Sequence, residues 1–239
     1  MWSFMGKVDL KIDWATHAAA KYACLNWHYA KRMPDPKSVK IGAWENGKFI
    51  GVVMFTRGVS GTNISKTLKI KSVEIAELSR GALTNYKNTV TRIIKISLVM
   101  LKKKCPLLRV IVSYADENHG HIGVIYQGGN WIFTGKSSFI PLFQNKEGIF
   151  IHGRSCSSTG LSKQFGEIKR VPKRENLIKI KQVPKWRYFM PLDDEMRKQI
   201  EPLRKPYPKR DKQAIAPIQG DSGGAAPTVT LQDSSKPHK

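Results

Sequence analysis

Residues 110 to 135 read Val110-Ile-Val-Ser-Tyr-Ala-Asp116-Glu-Asn-His-Gly-His121-Ile-Gly-Val-Ile-Tyr126-Gln-Gly-Gly-Asn-Trp131-Ile-Phe-Thr-Gly135. A run of apolar residues without alternation is the pattern of a strand buried on both faces. It passes directly into ionisable residues at Asp116. The spacing then predicts a short helix over about 120–127, carrying Tyr126, and a second strand over Trp131 to Thr134. Ligands of open α/β sheets sit at the carboxyl ends of strands. Asp116 is therefore predicted to lie at the floor of a cleft.

Upstream, Val90, Ile93, Ile94, Leu98 and Leu101 recur at helical spacing. Lys102, Lys103 and Lys104 suit the negative end of that helix, and Pro106 stops it. A strand over Val73 to Leu78 precedes it, ending at Ser79-Arg80-Gly81. Strand, helix and buried strand in this order predict a βαβ unit with parallel strands. Further upstream, Lys40 to Glu45 and Lys48 to Thr56 flank Asn46-Gly47, a strong hairpin signal. Trp14, Ala18, Tyr22, Leu25 and Tyr29 suggest an apolar stripe on a first helix, capped by Asp13 and ended by Pro34 and Pro36. The fold class expected is a mixed-sheet α/β (α+β) domain over residues 1–136.

From Lys136 the character changes. Phe139 to Phe143 and Gly148 to His152 read as a hairpin, and Arg154 to Phe165 as a Ser/Gly-rich loop. Between Leu161 and Met190 nine Lys or Arg stand against two Glu. Pro191 to Ile200 looks helical. Residues 137–204 are thus expected to form a basic extension packed on the core. Residues 205–239, rich in Pro, Lys, Gly, Ser and Ala, are expected to stay disordered because they hold little to bury.

The whole chain has 239 residues, 41 basic and 18 acidic, for a net charge of +23. That excess selects polyanionic partners, nucleic acid ahead of a membrane surface. No apolar run approaches the roughly 20 residues needed to span a bilayer, and the first residues lack a signal-peptide core. Cys24, Cys105 and Cys156 form neither a disulfide framework nor a zinc spacing, which fits a reducing cytosol.

The element order resembles that of the GNAT acyltransferases, whose fourth-helix signature is similar to Gly123-Val-Ile-Tyr126-Gln-Gly-Gly-Asn-Trp131. Six fragments go further: Trp27-His28-Tyr29, Phe49-Ile-Gly-Val-Val53, Glu77-Leu-Ser-Arg80, Val112-Ser-Tyr-Ala-Asp116, His121 to Gln127, and Asn130-Trp131. With Lys185-Trp-Arg-Tyr188-Phe-Met-Pro-Leu-Asp193 they resemble the bacteriophage Mom DNA-modification family, over roughly residues 10 to 200. The resemblance implies a GNAT-like transferase that places a carbamoylmethyl-type group on N6 of adenine in phage DNA. It also implies protection from host restriction, the cytoplasm of the infected bacterium, and an iron-dependent activity. GNAT enzymes cradle the pyrophosphate of coenzyme A with a Gly-rich turn at the start of the central helix. Thr84 to Thr89 has no glycine here, which leaves Lys87, Asn88 and Thr89 as candidate phosphate ligands. The donor stays open between acyl-CoA and another compound.

The candidate residues follow. Asp116 is a proton acceptor or metal ligand at a strand end. Tyr126, by the resemblance, is an acid toward the leaving group. His28 is a base or iron ligand, with Tyr29 beside it. Glu77 and Arg80 face the same cleft from the preceding strand, and Ser113 or Tyr114 does so from the buried strand. His119 and His121 form a weak metal signal. Lys169, Arg170, Lys173, Arg174, Lys179, Lys181, Lys185 and Arg187 are expected on duplex phosphates, with Trp186 and Tyr188 interleaved among them. Chemistry on N6 inside a duplex needs an extruded base, and Trp27, Tyr126 or Trp131 would flank it. Oligomeric state is open, a homodimer included. Two other functions are weighed: an acyl-CoA-dependent N-acetyltransferase of a protein, tRNA or small amine, and a non-catalytic nucleic-acid-binding protein.

Overall fold

The computed structural model describes residues 8–34, 37–57, 61–137, 141–153, 155–164, 167–180 and 184–209. In chain order the elements are β1 (Leu10–Trp14), α1 (His17–Trp27), β2 (Ser38–Glu45), β3 (Lys48–Thr56), α2 (Gly61–Thr67), β4 (Ile75–Leu83), α3 (Val90–Lys104), β5 (Val110–Ala115), α4 (Val124–Gly128) and β6 (Ile132–Lys136). Then come β7 (Leu142–Gln144), β8 (Phe150–His152), β9 (Leu161–Gln164), β10 (Glu167–Arg170), β11 (Ile178–Ile180), β12 (Trp186–Pro191) and α5 (Asp194–Ile200). Seven strands form one mixed sheet in the order β1-β2-β3-β4-β5-β12-β6. Its neighbours are antiparallel except β4 and β5, the parallel pair expected around the central helix. The α/β fold class read from the sequence is therefore the one observed.

Helices cover both faces, which explains the unbroken apolar strands. Val53 and Phe55 of β3 and Ile111 of β5 pack with Ile93, Ile94 and Leu101 of α3. Val110 and Val112 turn the other way, onto Ile64 of α2, Leu68 just after it, and Met196 and Ile200 of α5. Asp193 caps α5 by accepting from the Met196 N–H at 2.7 Å. It also takes two hydrogen bonds of 2.9 Å from Arg109, next to β5. Such bidentate charge-assisted pairs fix orientation as well as adding stability.

Three expectations for the first half are corrected. Residues 10–14, including Asp13, form β1 on the sheet edge, paired with β2. Helix α1 starts three residues later, where Thr16 accepts from the Ala19 N–H at 3.2 Å. Its buried side is not the expected stripe: Trp14, Tyr22 and Leu25 are exposed, and Ala20, Ala23 and Cys24 are fully buried. The small residues let the helix backbone come close to Val52, Met54 and Ala82. Strand β4 does not end at Ser79. A bulge there shifts its pairing with β3 from Phe55–Leu78 to Met54–Arg80, and the strand runs on to Leu83.

The segment 137–204 holds the predicted β7–β8 hairpin, extended by β11 on its other side. It also holds a separate ribbon, β9–β10, whose first strand falls within the loop expected over Arg154 to Phe165. Its last part is no appendage. Strand β12 lies inside the main sheet between β5 and β6, antiparallel to both, and Pro191 belongs to it rather than to a helix. Past Arg204 the chain returns to the core: the Lys205 N–H donates to the Phe133 carbonyl at 2.8 Å, and Tyr207 Oη to the Trp131 carbonyl at 2.7 Å. Those contacts correct the expectation of disorder for 205–209; residues 210–239 lie outside the described residues. No described helix is long and apolar enough to cross a membrane.

Candidate active site

Parallel pairing of β4 with β5 spans only Ile75–Glu77 against Val110–Val112. Beyond it the strands part. Ser113 sits at the parting, fully buried, and donates to the Leu78 carbonyl at 2.9 Å. Its Oγ is also 2.8 Å from Tyr126 Oη. Of the Ser113/Tyr114 pair, Ser113 is therefore the one that meets Tyr126. The Tyr126 ring is held between Trp131, at 5.1 Å, and Tyr188, at 5.2 Å. Its helix, α4, begins at Gly123 with φ +81, and a Cβ there would lie 2.5 Å from the Tyr188 ring. Only glycine suits both the conformation and the space.

Asp116 follows β5 as predicted. Its carbonyl accepts the N–H groups of His119 and His121, both at 3.1 Å, which folds the loop into a turn. Its buried carboxylate is 2.7 Å from Lys185 Nζ. Lys185 was expected on DNA phosphate; the structure places it over the candidate base. Arg187 is likewise engaged inside the fold, donating to Thr134 Oγ1 at 2.9 Å with its guanidinium over Phe189.

Tyr29 joins this cluster from the end of α1. Its ring centroid is 4.3 Å from His28, 4.5 Å from His119 and 5.3 Å from His121. Burial pushes the Tyr29 phenol up, and it pushes the Glu77 carboxyl up as well, against the pull of Arg80 and Lys185. Arg80 donates to the Ser79 carbonyl at 2.6 Å, but its Nε is buried without a hydrogen-bond partner. A buried donor left open is uncommon and marks a place where a ligand oxygen would be welcome. Trp27 and Trp131 lie elsewhere than expected: Trp27 packs on Tyr22 and Phe49, and Trp131 is sealed beneath Tyr126.

Burial, with Arg80, His121, His119 and Lys185 adding to it, pushes the His28 imidazole down to about 3. Its Nδ1 accepts the Ala30 N–H at 3.0 Å, so in the neutral ring the proton stands on Nε2. An imidazole that ligates through Nε2 must carry its proton on Nδ1. His28 is thus neither a ready base nor a ready ligand. Asp116, the other candidate ligand, is paired with Lys185. Among the described residues no group of three or more His, Cys, Asp or Glu is placed to hold a metal ion. The donor set does not fit iron, and the expectation of His28 and Asp116 as its ligands is not met.

The depressed value has a measurable sign. An unfolded His28 takes its proton near the ordinary 6.5, but the folded one does not until about 3. Stability from this group is full above 6.5 and is lost progressively as pH falls toward 3. Nitrogen NMR should show the folded His28 ring still neutral at pH 5, and a His28→Asn variant should lose less stability than wild type between pH 6.5 and 4. A ring protonated at pH 6 would refute the assignment.

At the candidate phosphate site the backbone amides are also occupied, although the Lys87 side chain is exposed. The Glu45 carboxylate accepts the backbone N–H groups of Lys87 and Asn88, each at 2.7 Å, and the Asn88 side chain at 2.9 Å. Thr89 caps α3 by accepting from the Arg92 N–H. The residues at this turn do not fit a coenzyme A diphosphate.

Sequence reasoning missed Glu45, which looked like an ordinary strand end before a turn. It also assigned Lys185 to DNA because that lysine lies within a basic run.

A family model for the Mom protein family matches residues 9–209. The methylcarbamoylase Mom of Escherichia phage Mu is 23% identical over 210 residues, covering 85% of this chain and 86% of its own length. Similar solved structures include an IAA acetyltransferase from Bacillus cereus, at 10% identity and TM-score 0.42 over 77% of this chain and all of that one. Spermidine N-acetyltransferase from Vibrio cholerae, solved with CoA and spermine, has 8% identity and TM-score 0.38 over 76% of this chain and 95% of its own. With the family match running across the whole sheet and both walls of the cleft, the chain is a transferase-type modification enzyme that belongs to the Mom protein family.

Proposed function

We propose that the enzyme transfers a carbamoylmethyl-type group to N6 of adenine in DNA, in the cytoplasm of an infected bacterium, and so shields phage DNA from restriction. The observation that carries this reading is the Tyr29–His119–His121 ring cluster beside the Asp116–Lys185 pair, at the parting of β4 and β5. An adenine turned out of the duplex stacks on Tyr29 and brings its exocyclic amine toward Asp116. The N6 lone pair attacks the donor carbon as the bond to the leaving group breaks. Asp116 takes the N6 proton, and Tyr126, linked to Ser113, gives its own proton to the leaving group. Lys185 moves its charge off Asp116 as the base enters.

Duplex binding rests on Lys169, Arg170, Lys173, Arg174 and Lys179, all exposed on β10, β11 and the turn between them; Lys181 lies outside the described residues. Lys169 and Lys173 lie near Glu167 and Glu175, at 3.7 and 3.3 Å. Exposed pairs of this kind are weak and yield readily to phosphate. The β9–β10 ribbon has the width a major groove admits.

The test is to express the chain beside a plasmid, digest the plasmid to nucleosides and weigh them by mass spectrometry. A new adenosine species whose added mass is that of the carbamoylmethyl group is expected. Unmodified nucleosides throughout, from protein that binds DNA, would overturn the reading.

A further inference from the structure

Helix α3 is 15 residues long, and the free N–H groups at its amino end make an anion site. In this chain a carboxylate is built into the turn just before it, where Glu45 accepts from the backbone N–H groups of Lys87 and Asn88. Glu45 is the last residue of β2, paired with Leu10 on one side and Lys48 on the other, so two strands hold its backbone. It is 6% exposed. Burial alone would push its carboxyl up, but the hydrogen bonds from Asn88 and Lys87 outweigh that and hold it below the ordinary value. Arg92 donates to Asn88 Oδ1 at 2.7 Å, which turns the Asn88 amide toward Glu45. The carboxylate is therefore ionised, fixed and satisfied at neutral pH.

We infer that Glu45 is a resident anion filling the diphosphate site at the start of α3, and that the enzyme takes its group from a donor with no nucleotide diphosphate bound there. A diphosphate at this turn would meet a buried carboxylate and would have to strip three charge-assisted hydrogen bonds from it. A cation that a donor can meet lies deeper: Arg80, with its unpartnered Nε, beside the parting of the strands. The donor class that fits is a small carbonyl or carboxylate compound.

Titration calorimetry on the full chain, at physiological salt and without DNA, tests this with coenzyme A and with inorganic pyrophosphate as probes. Wild type is expected to show no saturable one-to-one binding of either below about 1 mM. Glu45→Ala opens three donors and is expected to bind pyrophosphate at least roughly tenfold more tightly than wild type. Glu45→Gln keeps the side-chain shape, removes the charge, and should gain binding in the same direction; it carries the test if the alanine variant melts early. Micromolar binding of coenzyme A by wild type overturns the inference, and so does a folded variant pair with no gain. Because no DNA is present, failure here is separate from failure of the adenine reading.

Discussion

Asp116→Asn should cut the yield of modified adenosine by roughly a thousandfold, within the range that a positioned general base contributes. Asparagine keeps the size of the side chain and one carbonyl oxygen but cannot take a proton from N6. The site around it should stand, since the Asp116 main-chain carbonyl that accepts from His119 and His121 is unchanged and asparagine keeps the side chain's shape. Lys185 is half exposed and can return to water when its partner is neutral. Affinity for duplex DNA should stay within about twofold, because the proposed phosphate contacts on β10 and β11 are untouched. The measurements are nucleoside mass spectrometry on equal amounts of protein and fluorescence anisotropy with a labelled duplex. Retention of more than a tenth of wild-type modification would remove Asp116 from the proton transfer.

Gly51→Ala should be the most damaging small substitution in the fold, at about 3–5 kcal/mol or outright failure to fold. Gly51 has φ +138, a conformation that side chains resist. A Cβ there would fall 2.0 Å from the Ala82 carbonyl oxygen and 2.7 Å from Leu83 Cα. Both obstacles are backbone of β4, so no rotamer change can make room. The position also adjoins the bulge in the β2–β3 pairing, where Ala43 faces Gly51 and Trp44 faces Phe49. Gly81→Ala is the control: its conformation is ordinary and nothing lies within 4 Å of an added Cβ. Urea denaturation should place Gly81→Ala within about 1 kcal/mol of wild type. A Gly51→Ala curve equally close would show that the two strands can separate without penalty.

The elements with strong periodic signals were legible in the sequence. The Asn46-Gly47 hairpin, the α3 stripe and the buried β5 leading to Asp116 stand where their patterns put them. Helix α1 misled because its exposed aromatics are at helical spacing, whereas the face that packs is made of alanines and a cysteine. Hydrophobic periodicity weighs size and polarity but not the distance of approach. Neither the bulge at Ser79 nor the return of β12 leaves a local signature, because both depend on which strand lies alongside. The site was legible in part for the same reason. Asp116, Tyr126, Ser113 and Tyr29 were named from strand ends and from resemblance, and the fold brings them to the parting of β4 and β5. The roles of Glu45 and Lys185 depend on partners 42 and 69 positions away, counted from Glu45 to Lys87 and from Asp116 to Lys185.

The place of β12 also bears on how the chain comes off the ribosome. When β6 has been synthesised, β5 and β6 each still present an open edge, and the strand that joins them is some fifty residues from being made. Closing so long an excursion costs only a little more than closing a short one, since the entropy grows with the logarithm of its length. The delay is therefore kinetic: unpaired edges invite wrong neighbours until residues 186–191 emerge. A nascent chain cut short before Lys185 carries Asp116 and Tyr126 but neither that lysine nor the strand between β5 and β6, so activity waits until residue 191 has been translated.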